Sequence, residues 1–168
     1  TFDRSENWLP LMRGSLMNRY TNLWNNNYYV LYGKNLGAPR DSKIFECKEK
    51  IIIRQTSDKI IATIITENII CRKNLHILIS EMVDHRFILG VLNSKLTNFY
   101  YQQINPEKGE VLAEVKKTHV EQLPIPKITS ENQQLHDDLV KLVEQMLKAK
   151  KEEQNAQSDH EKNLYKNL

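Results

Sequence analysis

The chain has 168 residues and a formal net charge of +3, which is enough length for one domain with a hydrophobic core but too little charge to prove a nucleic-acid partner. Two cysteines and five histidines are scattered without metal-ligand spacing, which argues against a disulfide scaffold and a zinc site and makes a reducing cytoplasm the expected location. There is no apolar run of membrane-spanning length and no evident signal peptide, so no membrane partner is expected. The start at Thr1 suggests a piece of a larger protein.

The first 45 residues are rich in aromatic residues and asparagine. Leu11–Gly14 is typical of a short apolar segment ending in a glycine turn, and Tyr28–Tyr32 predicts a strand that stops at Gly33. Residues 37–40 predict a loop. For most of the aromatic side chains, packing in the core is favoured over stacking on nucleic-acid bases.

Residues 50–79 hold short isoleucine clusters separated by turn formers. Isoleucine is branched at Cβ and favours strands, so this pattern predicts buried antiparallel strands joined by tight turns. The clusters are Ile51–Ile53, Ile60–Ile61, Ile64–Ile65, Ile69–Ile70 and Ile77–Ile79.

After this region, Asp84 is a candidate N-cap for one amphipathic helix that reaches Tyr101. Its apolar stripe of Ile88, Leu92, Leu96 and Phe99 should cover one side of the sheet. Asn93 and Ser94, in the middle of this helix, are better explained by packing than by function. Farther along, Glu110–Val115 predicts another strand, followed by Lys116 and Lys117.

Leu123–Pro126 predicts a rigid extended connector, because each proline fixes its own backbone and biases the residue before it away from helix. A long helix should follow, capped at Thr129 or Ser130, since Ser130 and Gln133 have capping-box spacing. Its heptad-like seam, widened by Val143 and Leu147, could pack on the same domain or on a partner helix. The seam residues are Leu135, Leu139, Leu142 and Met146. The predicted fold is therefore α+β: a twisted, mainly antiparallel sheet packed by helices, with a long C-terminal helix.

The basic residues are concentrated in the predicted strand region. Residues 34–74 contain nine Lys or Arg and five Asp or Glu, whereas residues 75–168 contain twelve basic and fourteen acidic residues. A local surplus of this kind is what an electrostatic footprint for nucleic acid would produce, although it also arises by chance.

Four motifs in order resemble the TaqI-like C-terminal specificity domain, the target-recognition domain of adenine-N6 DNA methyltransferases and fused restriction–modification enzymes. They are K-I-I-I-R-Q-T-S-D-K-I-I-A (50–62), L-H-I-L-I (75–79), F-I-L-G-V-L-N-S-K-L-T-N-F-Y-Y (87–101) and V-K-K-T-H-V-E-Q-L-P-I-P (115–126). Leu11–Gly14 is similar to the short R-G element that opens such domains. The resemblance implies a target-recognition domain at 1–126 and a C-terminal spacer or packing helix and tail at 127–168.

The resemblance also implies a division of labour. The domain would bind the major groove of double-stranded DNA and choose the sequence. A separate N-terminal methyltransferase domain of the parent would bind S-adenosylmethionine and flip the target adenine. This stretch itself has no glycine-rich cofactor loop and no Asn-Pro-Pro-Tyr-like motif. Glu114–Lys116 and Glu46–Lys48 both match the Glu-x-Lys of nucleases, so that match carries little information. We expect a non-catalytic fragment without cofactor or metal.

Candidate DNA contacts are cations and amides at the predicted turns and strand ends, since Arg and Lys pair with phosphate or guanine and Asn and Gln pair with adenine. They are Arg13, Arg54, Gln55, Lys59, Arg72, Lys73 and Asn74, with Lys116 and Lys117 as phosphate contacts. For each of them, a solvated surface position is the alternative. Two other classes of function stay open: an assembly module that uses the C-terminal helix for self-association or partner association, and an RNA-binding module without the usual aromatic motifs.

Overall fold

The computed structural model of the chain describes residues 7–107, 109–110 and 112–156. Both helices and antiparallel-rich sheets are present, and a long helix stands at the C-terminal end, which confirms the predicted α+β class. The strands are β1 (Leu9–Met12), β2 (Met17–Asn18), β3 (Thr21–Asn22), β4 (Tyr29–Val30), β5 (Lys50–Arg54), β6 (Ala62–Ile65), β7 (Ile70–Cys71) and β8 (Leu75–Leu78). The helices are α1 (Lys43–Glu46), α2 (His85–Asn93), α3 (Lys95–Ile104), α4 (Lys117–Val120) and α5 (Gln133–Asn155), with a 3₁₀ turn at Gly14–Leu16. Among the described helices, none is both long and apolar enough to cross a membrane.

The central sheet has the order β6-β5-β8 and is antiparallel throughout, with Ile52 of β5 between Thr63 and Ile77. Successive side chains of a strand point to opposite faces. Ile51 and Ile53 therefore enter a core shared with α2 and α5, whereas Ile52 enters a second core shared with β1 and β7. Because β5 is buried on both faces, its sequence is a continuous run of isoleucine rather than an alternating pattern.

A second sheet has the order β4-β1-β7 and corrects the prediction that all the isoleucine clusters pair antiparallel. β7 contains Ile70 and pairs parallel with β1, with Leu11 opposite Ile70. β4 pairs antiparallel with β1 on the other side. Strand propensity is a local property, whereas the choice of partner depends on residues 59 positions apart in this register, so the pattern alone could not assign the sheet.

Asp84 caps α2 as predicted, because its carboxylate accepts the backbone N–H of Arg86 at 2.6 Å. The expectation of one helix to Tyr101 is wrong, since Ser94 has an extended backbone and begins α3 by accepting the N–H of Thr97 at 3.0 Å. The break turns Leu96 and Phe99 outward, leaving them 76% and 63% exposed instead of on the sheet.

The asparagines next to this break hold the helices to the sheet. The Asn93 side chain accepts the N–H of Ala62 at 3.1 Å and donates to the carbonyl oxygen of Ala62 at 3.0 Å. Asn98 accepts the N–H of Ile60 at 3.0 Å. Side-chain amides therefore satisfy backbone groups along β6 and the residues before it, where no further strand is paired among the described residues.

α5 packs on α2 through part of the predicted seam. Leu139, Val143 and Leu147 join the core beside α2, while Leu135 and Leu142 are 71% and 61% exposed. Residues four apart lie on one side of a helix, and here that row meets α2. The predicted cap is wrong: Asn132 precedes the helix, and its side chain accepts the N–H of Thr129 at 2.8 Å.

The strand predicted at Glu110–Val115 does not form among the described residues there, apart from an isolated bridge between Glu114 and Thr56. The segment is fastened at Val115 instead. The N–H of Val115 donates to the carbonyl oxygen of Gln55 at 2.6 Å, and its own carbonyl oxygen lies 2.6 Å from Nε2 of His76. The backbone N–H and carbonyl groups of Val115 thus form two separate hydrogen bonds rather than part of a strand ladder.

Candidate nucleic-acid interface

Six of the nine predicted site residues lie at neighbouring strand ends, which we call the strand-end cluster. Because β1 and β7 are parallel, the residues after their carboxyl ends, Arg13 and Arg72, leave the sheet on the same side. The N–H of Arg72 donates to the carbonyl oxygen of Met12 at 3.0 Å, which fixes this neighbourhood. The cluster consists of Arg13, Arg54, Gln55, Arg72, Lys73 and Asn74.

The end of β5 reaches the same place from the central sheet. Arg54 is the last residue of β5 and stands opposite Leu75, the first residue of β8. The N–H of Gln55 donates to the carbonyl oxygen of Asn74 at 3.1 Å. The antiparallel register therefore places the end of β5 beside the turn that precedes β8, although 17 residues separate Gln55 from the first residue of that turn, Arg72.

Gly14 is the point at which these segments touch. A Cβ atom at this buried glycine would lie 3.1 Å from Nδ2 of Asn74 and 3.5 Å from Cγ of Arg54. Contacts between carbon and nitrogen or carbon at these distances are at or inside van der Waals separation. The absence of a side chain at position 14 is thus what allows the three segments to approach one another.

Three cations of the cluster have no carboxylate partner among the described residues. Arg72 and Lys73 are exposed, and within the described part of the chain their side chains have no hydrogen-bond or ion-pair partner. The guanidinium of Arg13 lies 4.7 Å from the centre of the Tyr28 ring, a cation–π contact that orients it without neutralising it. These three groups are available to bind phosphate or base edges.

Arg54 has a different environment, because its guanidinium is turned into the protein. Its Nη2 donates to the carbonyl oxygen of Met17, and its Nε is buried without a partner among the described residues. Burial lowers the pKa of Arg54 below its usual value. Arg54 therefore contacts the protein itself, in contrast to Arg72 and Lys73.

Arg40 belongs beside the cluster and was not among the predicted site residues. Its Nη2 donates to the carbonyl oxygens of Lys73 at 3.3 Å and Leu75 at 2.9 Å, so that it holds the turn before β8 from outside. In sequence it sits in a loop of glycine and proline 33 residues before Lys73, and no local pattern points to this contact. Only the folded chain brings them together.

The other predicted residues have competing partners or lie elsewhere. Lys116 forms an ion pair with Glu107, whose hydrogen bond raises the pKa of Lys116, while Lys116 lowers the pKa of Glu107. Lys117 lies 3.3 Å from Glu121. Lys59 is exposed in the turn between β5 and β6.

The surface beside Lys116 is acidic. Asp58, Glu110 and Glu114 line one shallow cavity there, and Nε2 of Gln55 donates to Oε2 of Glu114 at 3.2 Å. Carboxylates in such a cavity repel phosphate. Nowhere in the described residues does a group of three or more His, Cys, Asp or Glu side chains form a possible metal site. The most favourable surface for a polyanion is therefore the side of the cluster that carries Arg13, Arg72 and Lys73.

Comparison with known proteins bears on this surface. The model of the family described as TaqI-like C-terminal specificity domain matches residues 9–125, a range that contains all nine predicted site residues. No curated protein matches the chain.

Proposed function

The chain belongs to the family of TaqI-like C-terminal specificity domains, and on that premise we propose that it selects the DNA sequence for an adenine-N6 methyltransferase of a restriction–modification system. Methyl transfer takes place in a separate N-terminal domain of the parent, which holds S-adenosylmethionine and packs against this domain. The domain binds double-stranded DNA and contributes affinity and sequence choice rather than catalysis.

The observation that carries the proposal is the convergence of three chain segments in the strand-end cluster. Arg13, Arg54–Gln55 and Arg72–Asn74 come from separate strands and meet around Gly14. A rigid sheet holds the ends of these strands, so the polar groups keep a fixed spacing, as recognition of a duplex requires. Cations dispersed over the surface would attract DNA but would not fix the register of the protein on the duplex.

Within the cluster we assign different tasks to different side chains. Arg72 and Lys73 are exposed and unpaired among the described residues, which suits them to phosphate contacts. Arg13 has the paired donors that guanine accepts, and Asn74 offers its Nδ2 donor to a base acceptor, because its Oδ1 is buried. A good bidentate contact of Arg13 with guanine contributes about 1–3 kcal/mol of discrimination against the wrong base.

The test is the salt dependence of duplex binding by a variant that carries both Arg72→Ala and Lys73→Ala. Each phosphate contact that is lost lowers the slope of log K against log salt by about 0.9, so the double variant should have a slope smaller by about two. The measurement is fluorescence anisotropy with a labelled DNA duplex over a salt series. Duplex RNA in a parallel series distinguishes DNA binding from RNA binding.

A matched control removes the same charge elsewhere. Lys141 and Lys148 are exposed on α5 and pair only weakly with Asp138 at 4.0 Å and Glu152 at 3.9 Å. The variant that carries Lys141→Ala and Lys148→Ala should keep the slope of the wild type. If both double variants change the slope equally, net charge alone explains binding and the cluster is not the interface.

An assembly role for α5 is the second candidate function, and the exposed Leu135 and Leu142 favour it because they lie seven residues apart on one helix face. In this case the sheet is only a scaffold. Light scattering after size-exclusion chromatography would then show that the wild-type protein is a dimer or larger complex and that Leu142→Lys converts it to a monomer. Neither the wild-type protein nor the variant would bind a DNA duplex.

A further inference from the structure

Arg54 is the cation of the strand-end cluster that is engaged most deeply by the protein. Its Nη2 donates to the carbonyl oxygen of Met17, just past the 3₁₀ turn Gly14–Leu16, and thereby joins the end of β5 to the segment after β1. Its Nε is shielded from solvent and has no partner among the described residues. A guanidinium held in this way has little freedom to reach a duplex without breaking the contact to Met17.

Asn74 lies against the same segment at Gly14. A Cβ at Gly14 would be 3.1 Å from Nδ2 and 3.7 Å from Cγ of Asn74, and 3.5 Å from Cγ of Arg54. The Oδ1 atom of Asn74 is buried and, within the described residues, makes no hydrogen bond. The orientation of this amide therefore depends on packing against Gly14 and its surroundings rather than on a hydrogen bond to Oδ1.

Buried polar groups without partners are rare and costly in folded proteins. Here a donor, Nε of Arg54, and an acceptor, Oδ1 of Asn74, are both retained beside one glycine. A cost of this kind is expected where a fold gives up local stability to hold a functional group in one orientation. Two of the six such side-chain atoms among the described residues lie where the segments that carry Arg13 and Asn74 meet.

We infer that Arg54 is a positioning residue: together with Gly14 it sets the spacing between Arg13 and the Asn74 amide, and it does not touch the DNA itself. This inference rests on the proposed function. The sequence position of Arg54 suggests a direct contact with phosphate or guanine. In our inference Arg54 instead has an indirect role in sequence choice. Arg13 and the Nδ2 group of Asn74, whose Oδ1 is buried, make the base contacts.

Two variants test the inference by different routes. Arg54→Met keeps most of the side-chain length but removes the charge and the hydrogen bond to Met17. Gly14→Ala keeps Arg54 and adds one methyl group, which displaces the Asn74 amide by a few tenths of an ångström. Gly37→Ala is the matched control, because a Cβ there meets nothing within 4 Å.

The experiment first selects preferred sites for the wild-type protein from a random duplex pool. Binding of the preferred duplex and of its singly substituted versions is then measured for all variants, with a salt series on a non-preferred duplex. Arg54→Met and Gly14→Ala should each lower discrimination at two or more base pairs, by about 5- to 150-fold where a bidentate contact is lost. The salt slope should stay that of the wild type, and Gly37→Ala should match the wild type throughout.

Three results would overturn the inference. A salt slope reduced by about one in Arg54→Met means that Arg54 binds a phosphate. Loss of discrimination at a single base pair in Arg54→Met, with Gly14→Ala unaffected, means that Arg54 reads that base directly. Full discrimination in Gly14→Ala rejects the role of the glycine contact even if Arg54→Met does not fold. A wild-type protein that binds no duplex refutes the proposed function instead.

Discussion

Gly90 lies in α2 where α5 packs on it, and replacing it with alanine tests this contact directly. A Cβ atom at position 90 would lie 2.9 Å from Cδ1 of Leu139 and 2.9 Å from Cγ2 of Val143. Real Cβ atoms are not found so close to carbon, so at least one of the two side chains must move. Leu139 can rotate, but Val143 is buried and stiff at its first side-chain torsion.

Two opposing effects set the change in the free energy of unfolding caused by Gly90→Ala. Replacing glycine by alanine inside a helix stabilises the folded state by about 0.5–1 kcal/mol, because the unfolded chain loses conformational freedom. Adding a methyl group to a well-packed core costs about 1–3 kcal/mol. We therefore expect the free energy of unfolding to fall by about 1 kcal/mol, measured by urea denaturation with circular dichroism.

A double-mutant cycle separates these effects. Val143→Ala removes the methyl group that would clash with a Cβ at position 90. By itself this change should destabilise the protein, because apolar burial is lost. In the presence of Gly90→Ala the added methyl group partly fills that space, so the two changes should couple favourably, by about 1 kcal/mol. If Gly90→Ala alone stabilises the protein by its full helix-propensity gain, or if the coupling is zero, α2 and α5 do not meet at Gly90.

Three further predictions concern α2, α3 and the sheet. Asn93→Ala should cost about 1–3 kcal/mol in urea denaturation, because the N–H of Ala62 loses its buried acceptor, and a loss below about 0.5 kcal/mol would mean that water replaces the amide. Leu92→Ala should cost about 2–5 kcal/mol, whereas Leu96→Ala should stay within about 0.5 kcal/mol, and equal losses would contradict the helix break at Ser94. Burial raises the pKa of Tyr101 from 10.0 to about 12, so the folded protein keeps a proton that the unfolded chain releases, and stability should fall as the pH rises from 10 to 12. Tyr101→Phe should lessen that fall in denaturation curves recorded across this range, and an unchanged pH dependence would assign it to other groups.

The errors in the predicted elements share a physical origin. Asp84 caps α2 through a bond to a residue two positions away, and such short-range signals were interpreted correctly. Ser94 uses the same kind of bond to begin α3, but the apolar spacing across it still predicted a continuous helix. The residues at 110–115 have a strand-like composition, yet Val115 forms one bond with the backbone of Gln55 and one with the side chain of His76 instead of a strand ladder. Apolar periodicity indicates whether a segment can form a helix or a strand, but it does not indicate which other segment packs or pairs with it.

The candidate site also contains residues that local sequence predicted and contacts that only the folded chain creates. The predicted residues were chosen because cations and amides follow strand ends, and strand register then brought six of them together. Arg40 was not predicted, because its contact to Lys73 and Leu75 crosses more than thirty residues. The pairing of Lys116 with Glu107 depends on a loop in which the described residues do not form the predicted strand.

The sequence by itself determined the α+β class, the isoleucine strand β5, the cap of α2 and the cations and amides at the ends of strands, because each depends on torsional preference or on neighbours within a few positions. Tertiary structure alone decided that β7 joins β1 in parallel, that α5 packs on α2 and leaves Leu142 exposed, and that Arg54 turns inward while Arg72 stays exposed. These choices depend on contacts between distant residues, which exist only after the chain has closed its loops and the core has excluded the alternatives.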